Sequence, residues 1–471
     1  MAERDLAGRT ITVVSNEQVG IRMAGPAIRA ANFAQQLAAR GAAVTLATPR
    51  AIKQFSAEGA GYANTAFGFP SARSFRRLAS EADVVVTQPQ RVDVAWALHR
   101  SGTPVVYDMY VPSFVERIAQ LDAEPMAASL KARLLERDRL EYATALRLGN
   151  GFICATERQR DHWLGALGAL GRLDLGLLAR DSAGRSPIGI VPFGLPNEPA
   201  TPLSEPGSEG AGAIRGELVP EDSIVLLWTG GIWNWFDPVT LVEGFAEARK
   251  VEPRLRLVVL GLQHPEGAWD EQAAGAALRR RAEELDLLDD GSLVLVEGWV
   301  PYGERHRYLL DADIAVSAHH DSLETRFSFR TRFLDHLWTG LPTLSTEGGD
   351  LTDTLAAAGA ARTVPDGDAG AWRDALVELA ADSDARAALA AGALELASQY
   401  RWGRVVDGLV QQLQLVLAPG AATEFPAVGS QLDRLRALQL LVQVRIQSKG
   451  VGSLAGAARD ALGSRRATTP A

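Results

Sequence analysis

The sequence predicts an α/β protein with two Rossmann-like domains that face each other across a cleft, followed by a C-terminal helical tail of basic character. In both halves, short apolar segments typical of buried strands alternate with helical patterns, which indicates parallel sheets covered by helices. A stretch rich in Pro, Gly, Ser and Glu separates the halves. The chain has 471 residues, too many for one core, and 47% of them are apolar, so at least two well-packed domains are expected.

The first domain is predicted to span residues 1–200. The helix after its first strand, residues 27–40, carries Ile28, Phe33 and Leu37 at helical spacing. Its strands are expected at residues 10–15, 44–47, 83–87, 104–107 and 152–154.

A linker is predicted over residues 201–216, and the same rhythm then restarts in a second domain, residues 217–400. We expect an Ala-rich helix over residues 369–400 and a closing helix within residues 401–425. The strands of this domain are expected at residues 224–228, 255–260, 293–296, 314–317 and 343–345. Ligands of open α/β sheets bind at the carboxyl ends of the strands, so the cleft between the domains is the predicted binding site.

Charge and cysteine content narrow the classes of partner and compartment. The net charge of −9 argues against nucleic acid as a partner. No apolar run is long enough to span a membrane, and the segment MAERDLAGRT shows no signal-peptide core. Cys154 is the only cysteine, which fits a reducing compartment, and we expect a cytoplasmic protein. A buried apolar role for Cys154 at a strand end is favoured over a nucleophilic one.

The tail, residues 426–471, has the opposite charge from the body. From residue 431 onwards it carries seven Lys and Arg against two Asp, with Leu435, Leu438, Leu441 and Val442 as an apolar stripe. A basic amphipathic segment of this kind binds anionic membrane surfaces, which predicts peripheral attachment at the inner face of the cell membrane. A helix that packs on the body and frays at its end explains the pattern equally well.

The segment from Glu324 to Pro342, ETRFSFRTRFLDHLWTGLP, is the strongest candidate for a ligand site. Ser328 is predicted to cap a helix and leave the amides of Arg330 and Thr331 free for an anion. Arg326, Arg330 and Arg332 add positive charge, so a phosphate or diphosphate is the expected ligand. The alternative is a solvated ion-pair surface in which Arg332 pairs with Asp335 on the helix.

In each domain, a loop that contains two glycines follows the first strand. Gly20 and Gly25 flank the first, SNEQVGIRMAGPAIRA, and allow the backbone to approach a ligand, although a simple turn explains them about as well. Gly230 and Gly231 give the second loop, WTGGIWNWFDP, its tight geometry. Trp233 and Trp235 in this loop are candidates for stacking on a base or sugar, with packing at the domain seam as the commoner role.

Two Asp-x-Asp pairs are candidates for a metal site, but turn residues are the favoured interpretation of both. Asp311 with Asp313 precedes a strand and Asp366 with Asp368 lies in a turn sequence, so polar turn residues account for both pairs. The histidines His319 and His320 have no partner at zinc-like spacing, although either could reach the cleft from its strand end. No G-x-S-x-G, Walker A or Cys/His cluster is present.

With these features together, the chain resembles bacterial glycosyltransferase family 4, which are retaining enzymes of the GT-B fold. The resemblance runs over roughly residues 10–400. It is carried by the first glycine loop through QLAARG, by PVVYDMY, GFICATERQRDHWLGAL and VPFGLP, by LLWTGGIWNWFDPVTLVEGF and VEGWVPYGERHRYLLDADIAVS, and by the candidate segment through GLP.

The resemblance implies a nucleotide-sugar held by the second domain and an acceptor held by the first. Of the two family glutamates separated by seven residues, the second is replaced here by Asp335, expected on the ribose, and the first falls at Phe327. Glu324 is predicted to replace the first and orient the sugar. Arg326, Arg330 or Arg332 is expected to supply the charge that the family carries in the loop of Gly230 and Gly231.

The resemblance also implies a mechanism. Glu324 and Arg330 are the predicted catalytic residues, while Gly20, Gly230, Gly231, Arg326, Arg332 and Asp335 are predicted to bind the donor. No metal or other cofactor is expected. The predicted function is sugar transfer to a glycan or lipid-linked acceptor in synthesis of a bacterial surface polysaccharide or glycolipid. Alternatives are a GT-B nucleotide-sugar epimerase, a synthase joining non-sugar groups, or a degenerate subunit that binds without turnover.

Overall fold

The computed structural model contains two parallel sheets, one in each half of the chain. The described residues are 6–20, 23–50, 61–110, 113–124, 126–173, 181, 186–205, 208, 210–262, 272–296, 298, 300–419, 435, 439–440 and 442–443. Most of the predicted tail therefore lies outside the described residues, and its membrane role stays a prediction.

The first sheet has seven strands in the order β3-β2-β1-β4-β5-β6-β7, and every neighbouring pair is parallel. Its strands are β1 (Thr10–Val14), β2 (Ala43–Thr48), β3 (Ala63–Ala66), β4 (Val84–Thr87), β5 (Val105–Asp108), β6 (Gly151–Cys154) and β7 (Ile188–Ile190). Its helices are α1 (Gly25–Ala39), α2 (Ala72–Ser80), α3 (Val92–His99), α4 (Ser113–Ala123), α5 (Ala128–Leu148) and α6 (Glu157–Ala169). Parallel strands need such crossover helices, which bury both faces of the sheet.

The second sheet has six parallel strands in the order β10-β9-β8-β11-β12-β13. Its strands are β8 (Ile224–Trp228), β9 (Leu255–Val259), β10 (Leu293–Leu295), β11 (Ile314–Ser317), β12 (Thr343–Thr346) and β13 (Ala361–Val364). Its helices are α7 (Pro238–Arg249), α8 (Ala273–Glu284), α9 (Arg305–Leu309), α10 (Leu323–Phe327), α11 (Arg332–Thr339), α12 (Asp350–Ala357), α13 (Ala369–Ala381) and α14 (Ser383–Ala397).

After α14 and one 3₁₀ turn (Ser398–Tyr400), the closing helix α15 (Trp402–Leu417) returns to the first domain. Its buried residues Val406, Leu409 and Leu413 belong to the same apolar cluster as Phe33 of α1. The predicted closing helix is therefore observed, and it belongs to the packing of the first sheet rather than the second.

The structure contains three strands that the sequence did not predict and one break in a predicted helical region. The strands β3, β7 and β13 were not predicted, because their short sequences ANTA, IGI and ARTV lack a continuous apolar run. The single Ala-rich helix predicted for residues 369–400 is two helices, since Asp382 takes an extended conformation and its side chain caps α14 by accepting the N–H of Ala385.

The end of the predicted linker is anchored in the second domain. Ile214 is fully buried, and the Asp311 carboxylate accepts the N–H groups of Ile214 and Arg215 at 2.7 and 3.0 Å. Asp313 accepts the N–H of Val225 at 2.7 Å and an ion pair from Arg215. Both aspartates therefore bind backbone amides and an arginine.

Among the described residues, no helix is long and apolar enough to cross a membrane.

The substitution Asp311→Ala is expected to destabilise the fold by about 3 kcal/mol, because it leaves the buried Ile214 amide and the partly buried Arg215 amide without their acceptor and removes one of the two carboxylates that pair with Arg215. Asp374→Ala is the matched control, since Asp374 pairs with Arg373 at an exposed position. The control is expected to change stability by about 0.5 kcal/mol or less. Urea midpoints measure both, and equal midpoints in the two variants would contradict the anchoring role.

Candidate functional site

A cavity of about 690 Å³ lies between the two sheets, at the carboxyl ends of their strands. Asn16, Gln88 and Tyr110, which follow β1, β4 and β5, line it from the first domain. Thr229 and Leu260, which follow β8 and β9, line it from the second. The loops that bind ligands in open parallel sheets therefore meet at this cavity.

The Gly230–Gly231 turn lies on the cavity wall, as predicted from its sequence. Gly230 has a positive φ of +74°, a conformation that glycine adopts without strain. Gly261, just after β9, packs directly on this turn, and a Cβ at Gly261 would lie 2.7 Å from the Gly230 carbonyl carbon. The two loops of the second sheet therefore depend on each other for their positions.

The candidate segment forms two short helices instead of one. Ser322, not Ser328, is the capping residue, and it accepts the N–H of Thr325 at the start of α10. Ser328 ends α10, and its own N–H donates to the Glu324 carbonyl at 2.8 Å. The helix α11 begins at Arg332 without a side-chain cap. The predicted cap at Ser328 was therefore wrong, because Ser328 is the residue at which α10 ends and its N–H already donates within that helix.

Glu324 and Arg330 form a buried, bidentate ion pair on the cavity wall. Nη1 and Nη2 of Arg330 donate to the two Glu324 carboxylate oxygens at 3.1 and 2.8 Å, and both side chains are almost fully buried. Burial raises the pKa of Glu324, and the Arg330 guanidinium opposes that rise. The structure thus brings the two predicted catalytic residues together, and Arg330 is held by an acid rather than free for a phosphate.

Arg332 lies beside this pair without an acid of its own among the described residues. Its Nη2 donates to the Gly231 carbonyl at 2.7 Å, and its guanidinium lies over the rings of Trp228 and Phe236 at 4.8 and 4.2 Å. Burial and then Arg330 lower the pKa of Arg332 to about 9. The wall near the glycine turn therefore carries a positive charge that has no ion-pair partner within the part of the chain that the structure describes, which favours an anionic ligand.

Asp335 lines the cavity and is paired with Arg305, an arginine that no sequence pattern indicated. The Arg305 Nε donates to the Asp335 carboxylate at 2.9 Å, and the guanidinium lies between the rings of Tyr302 and Trp338 at 3.7 and 4.4 Å. The predicted alternative, a pair between Arg332 and Asp335 on the helix surface, was wrong because each has another partner.

Gly20 and Arg326 lie outside the cavity lining, so the structure does not place them with the other predicted donor-binding residues. Arg326 is exposed, whereas its neighbours Glu324 and Thr325 on α10 are buried. Gly25, at the start of α1, lines the cavity from the first glycine loop. Neighbouring positions on a helix point to different faces, so Arg326 points to solvent while Arg330 and Arg332 line the cavity.

The first domain contributes a wall of carboxylates and arginines that no sequence pattern indicated. Asp138 accepts from Arg117 and Arg137 at 2.9 and 2.7 Å. Burial, with Glu324 across the cleft, raises the pKa of Glu116 to about 8, and burial raises the pKa of Glu141 to about 7. All five residues line the cavity.

The remaining candidates have structural partners. Trp233 and Trp235 line the cavity and stack on each other, with ring centroids 5.6 Å apart. His319 is buried, and its ring contacts the Glu347 carbonyl at 3.2 Å. Cys154 is fully buried, and burial raises the pKa of its thiol to about 12, as expected for an interior residue.

His320 lies between two carboxylates that cap other groups. Its Nδ1 is 3.6 Å from Asp366 and 3.9 Å from Asp237. Asp366 accepts the N–H of Asp321 at 2.9 Å, and Asp237 accepts the N–H of Thr240 at 3.1 Å at the start of α7. Asp368 caps α13 through Ala371. Asp237 and Asp368 therefore cap helices and Asp366 binds a backbone amide, while the ligand atoms of Asp237, His320 and Asp366 lie within 4.8 Å of one another, close enough to hold a metal ion.

Comparison with curated proteins finds relatives that are named glycosyltransferases. The chain is 31% identical to the D-inositol 3-phosphate glycosyltransferase of Saccharomonospora viridis over 209 residues, which cover 44% of this chain and 46% of that protein. It is 28% identical to the protein of the same name from Stackebrandtia nassauensis over 227 residues, 47% of each. The chain thus spans about half the length of the curated relatives it matches. No protein-family model matches it.

Solved structures confirm the predicted fold. HepE of Anabaena in complex with UDP and glucose superposes with a TM-score of 0.62 at 15% identity, covering 87% of this chain and 99% of that one. Sucrose-phosphate synthase of Thermosynechococcus elongatus gives a TM-score of 0.60 at 14% identity, with coverage of 87% and 99%. The glycosyltransferase WaaG gives 0.56 at 14% identity, with coverage of 87% and 100%. The fold is that of the GT-B glycosyltransferases, and the resemblance to them is confirmed.

The substitution Gly261→Ala is expected to destabilise the fold more than Gly291→Ala. Both glycines have a positive φ, +79° and +68°, so each alanine costs about 1 kcal/mol of backbone strain. The Cβ that the first substitution adds would also collide with the backbone of Gly230 and Gly231, whereas Gly291 has open space. An additional loss of about 1–3 kcal/mol is expected for Gly261→Ala in urea unfolding. Equal losses would show that the two loops yield to each other freely.

The substitution His336→Gln is expected to flatten the acid side of the stability profile. His336 is fully buried between the hydroxyls of Thr229 and Thr343 at 3.2 and 3.1 Å, and burial lowers its pKa from 6.5 to about 3. Its unfolded form binds a proton first, so stability is lost as pH falls from about 6.5 towards 3.

Without His336, the slope of unfolding free energy against pH in that window is expected to fall by up to about 1.4 kcal/mol per pH unit. Urea unfolding at several pH values measures the slope. His319 titrates in both forms of the protein and cancels in the comparison. An unchanged slope would show that His336 is protonated in the folded state.

Proposed function

We propose that this chain is a retaining glycosyltransferase of the family 4 type that moves a sugar from a nucleotide-sugar donor to a glycan or lipid-linked acceptor. The observation that carries the proposal is the cavity between the two domains, where the buried Arg332 lies beside the Gly230–Gly231 turn and no described acid pairs with it. Structures of HepE, which shares this fold, contain UDP and UDP-glucose. A nucleoside diphosphate is therefore the ligand that best fits this wall.

The donor diphosphate is assigned to Arg332 and the glycine turn. Arg330 is already neutralised by Glu324, whereas the partners of Arg332 in the described ranges are one carbonyl and two aromatic rings. A buried cation without an acid gains most from a phosphate, because the two charges meet in a low dielectric. Asp335 is assigned to the ribose hydroxyls, with Arg305 fixing its carboxylate.

In the proposed reaction, the bond between the anomeric carbon and the diphosphate oxygen breaks and a bond to the acceptor oxygen forms on the same face. The acceptor hydroxyl proton passes to the departing diphosphate. Arg332 and the backbone of the glycine turn stabilise the negative charge that develops on the diphosphate, an electrostatic role that needs no metal. Glu324, held rigidly by Arg330, orients the sugar ring.

The acceptor is assigned to the first domain, whose wall of Glu116, Arg117, Arg137, Asp138 and Glu141 is rich in hydrogen-bonding groups. Such a wall suits a polyhydroxylated molecule such as a sugar. Synthesis of a surface polysaccharide or glycolipid at the inner face of the cell membrane is the proposed setting, with the basic tail as the proposed membrane contact.

The first test is a thermal-shift panel of UDP, GDP, dTDP and ADP and their common sugar conjugates. A nucleotide at about 100 times its dissociation constant stabilises the fold by about 2.7 kcal/mol. Arg332→Met is expected to weaken binding of the active nucleotide by about 10- to 100-fold, since a charged hydrogen bond is lost. Arg326→Met, six residues away and exposed, is the matched control and is expected to change it less than about twofold.

A panel in which no nucleotide stabilises the wild type would count against the donor site as a whole. Equal losses in the two variants would return Arg326 to the site and remove the special role of Arg332. Incubation of the stabilising nucleotide-sugar alone distinguishes the epimerase alternative, because an epimerase converts its substrate without an acceptor. Binding without any turnover, with or without acceptor, would favour the degenerate subunit.

A further inference from the structure

The helix α6 of the first domain reaches across the cleft to the donor side of the second. Gln159, in its first turn, is fully buried. Its Oε1 accepts the N–H of Ala155 at 2.8 Å within the first domain, and its Nε2 donates to the Phe327 carbonyl at 2.8 Å in the second. A single side-chain amide therefore connects residues 168 positions apart, with both of its ends satisfied.

A second contact on the same face of α6 holds the Phe327 side chain. His162 follows Gln159 by three residues, so the two side chains lie on one face of the helix. The His162 and Phe327 ring centroids are 4.8 Å apart, and His162 also packs against Trp163 at 4.7 Å. Phe327 occupies the position at which the resemblance places a family glutamate. Here that position is an anchor between the domains.

Phe327 lies between the two residues of the buried ion pair in the sequence. Glu324 lies one turn before it on α10, and Arg330 lies three residues after it. The Ser328 N–H also donates to the Glu324 carbonyl, so the backbone from Glu324 to Ser328 is one hydrogen-bonded turn. A displacement of Phe327 therefore moves Glu324 and Arg330 as well.

Another contact between the domains is of a different kind. Arg158, next to Gln159, pairs with Asp350 and Asp353 at 3.3 and 2.6 Å, but these groups are partly exposed to solvent. Exposed ion pairs contribute little to stability and set no precise geometry. A buried amide that satisfies a carbonyl is directional, since an off-line hydrogen bond weakens steeply.

We infer that Gln159 is a positioning residue for the donor site: the first domain, through its hydrogen bond to the Phe327 carbonyl, aligns Glu324 and Arg330 for transfer. The site is completed only when the two domains are docked, which links the acceptor domain to the geometry of the donor sugar. This inference rests on the proposed function, and the segment 323–331 is the part of the second domain on which it acts.

The substitution Gln159→Glu tests the inference directly. It keeps the acceptor for the Ala155 N–H, removes the donor to Phe327 and sets a carboxylate against that carbonyl. Amide hydrogen exchange in residues 323–331 is expected to rise at least about tenfold, because their docking contact is lost. With UDP-glucose, or the donor that the panel selects, kcat is expected to fall about 10- to 100-fold, whereas KM for the donor changes less than about threefold.

The unequal response follows from the division of roles. Donor affinity depends on Arg332 and the glycine turn, which Gln159 does not contact, while alignment of Glu324 affects the chemical step. Gln412→Glu is the matched control, since Gln412 is buried and its Nε2 donates to the Pro187 carbonyl at 3.3 Å without reaching the second domain. Gln159→Met removes the same donor without adding charge and replaces Gln159→Glu where that variant does not fold.

Faster exchange in 323–331 with a kcat loss in the Gln159 variants, absent from Gln412→Glu, supports the inference. Unchanged exchange in that segment, or equal kcat losses in the Gln412 control, overturns it. Failure of the proposed function would give a different result. A wild type that turns over no donor would defeat the enzyme assignment and with it the role of Gln159 in transfer. The exchange measurement would then report only that the contact between Gln159 and Phe327 exists.

Discussion

The cavity depends on the joint where the chain returns from the second domain to the first. The Leu195 N–H donates to the Tyr400 carbonyl at 2.8 Å, and the Trp402 N–H donates to the Leu195 carbonyl at 3.0 Å, so the two crossings of the chain are tied together. The Trp402 ring is buried against Phe33 and Phe193 at 5.9 and 5.0 Å. One apolar cluster then extends from α1 through α15 to α11 and α14, which gives both sheets a shared core. Because interiors are close-packed, the angle between the sheets is set at this joint.

Charge is distributed unequally on the two walls that this joint brings together. In the first domain, Asp108 forms a buried ion pair with Arg29 at 2.6 Å. Glu116 faces the cleft, and its pKa is raised to about 8. In the second domain, Arg332 has no acid partner among the described residues. A diphosphate on the second wall adds negative charge near Glu324, which further favours the neutral form of Glu116. The walls therefore fit the proposed anionic donor and a proposed acceptor that binds by hydrogen bonds.

Much of the fold was predictable because its central strands are buried on both faces and appear as apolar runs, as in β8 with IVLLW. The edge strand β3, ANTA, is partly exposed and carries no such signal. The site was predictable to the extent that it is local: Glu324, Arg330, Arg332 and Asp335 all line the cavity. Their partners were not predictable, since Arg305 is 30 residues from Asp335 and Gln159 is 168 from Phe327, and no periodicity of a single sequence encodes such contacts. Ser328 was assigned as a cap because its residue type favours one, but Ser322 supplies the cap in the structure.

The ion pair of Glu324 and Arg330 bears on the choice between an enzyme and a degenerate binding subunit. Burying such a pair stabilises a fold little or not at all relative to apolar residues of the same size, because desolvation offsets the attraction. The pair is nevertheless aligned by Thr325, whose hydroxyl accepts from Arg330 at 3.1 Å, and by the docking of Phe327. A carboxylate that lies one turn before the position where the resemblance places a glutamate, and that is held by this many contacts, fits the proposed role in chemistry better than a role in stability. A phenylalanine at position 327 is therefore weak support for a degenerate subunit, because Phe327 joins the two domains through its contacts with Gln159 and His162.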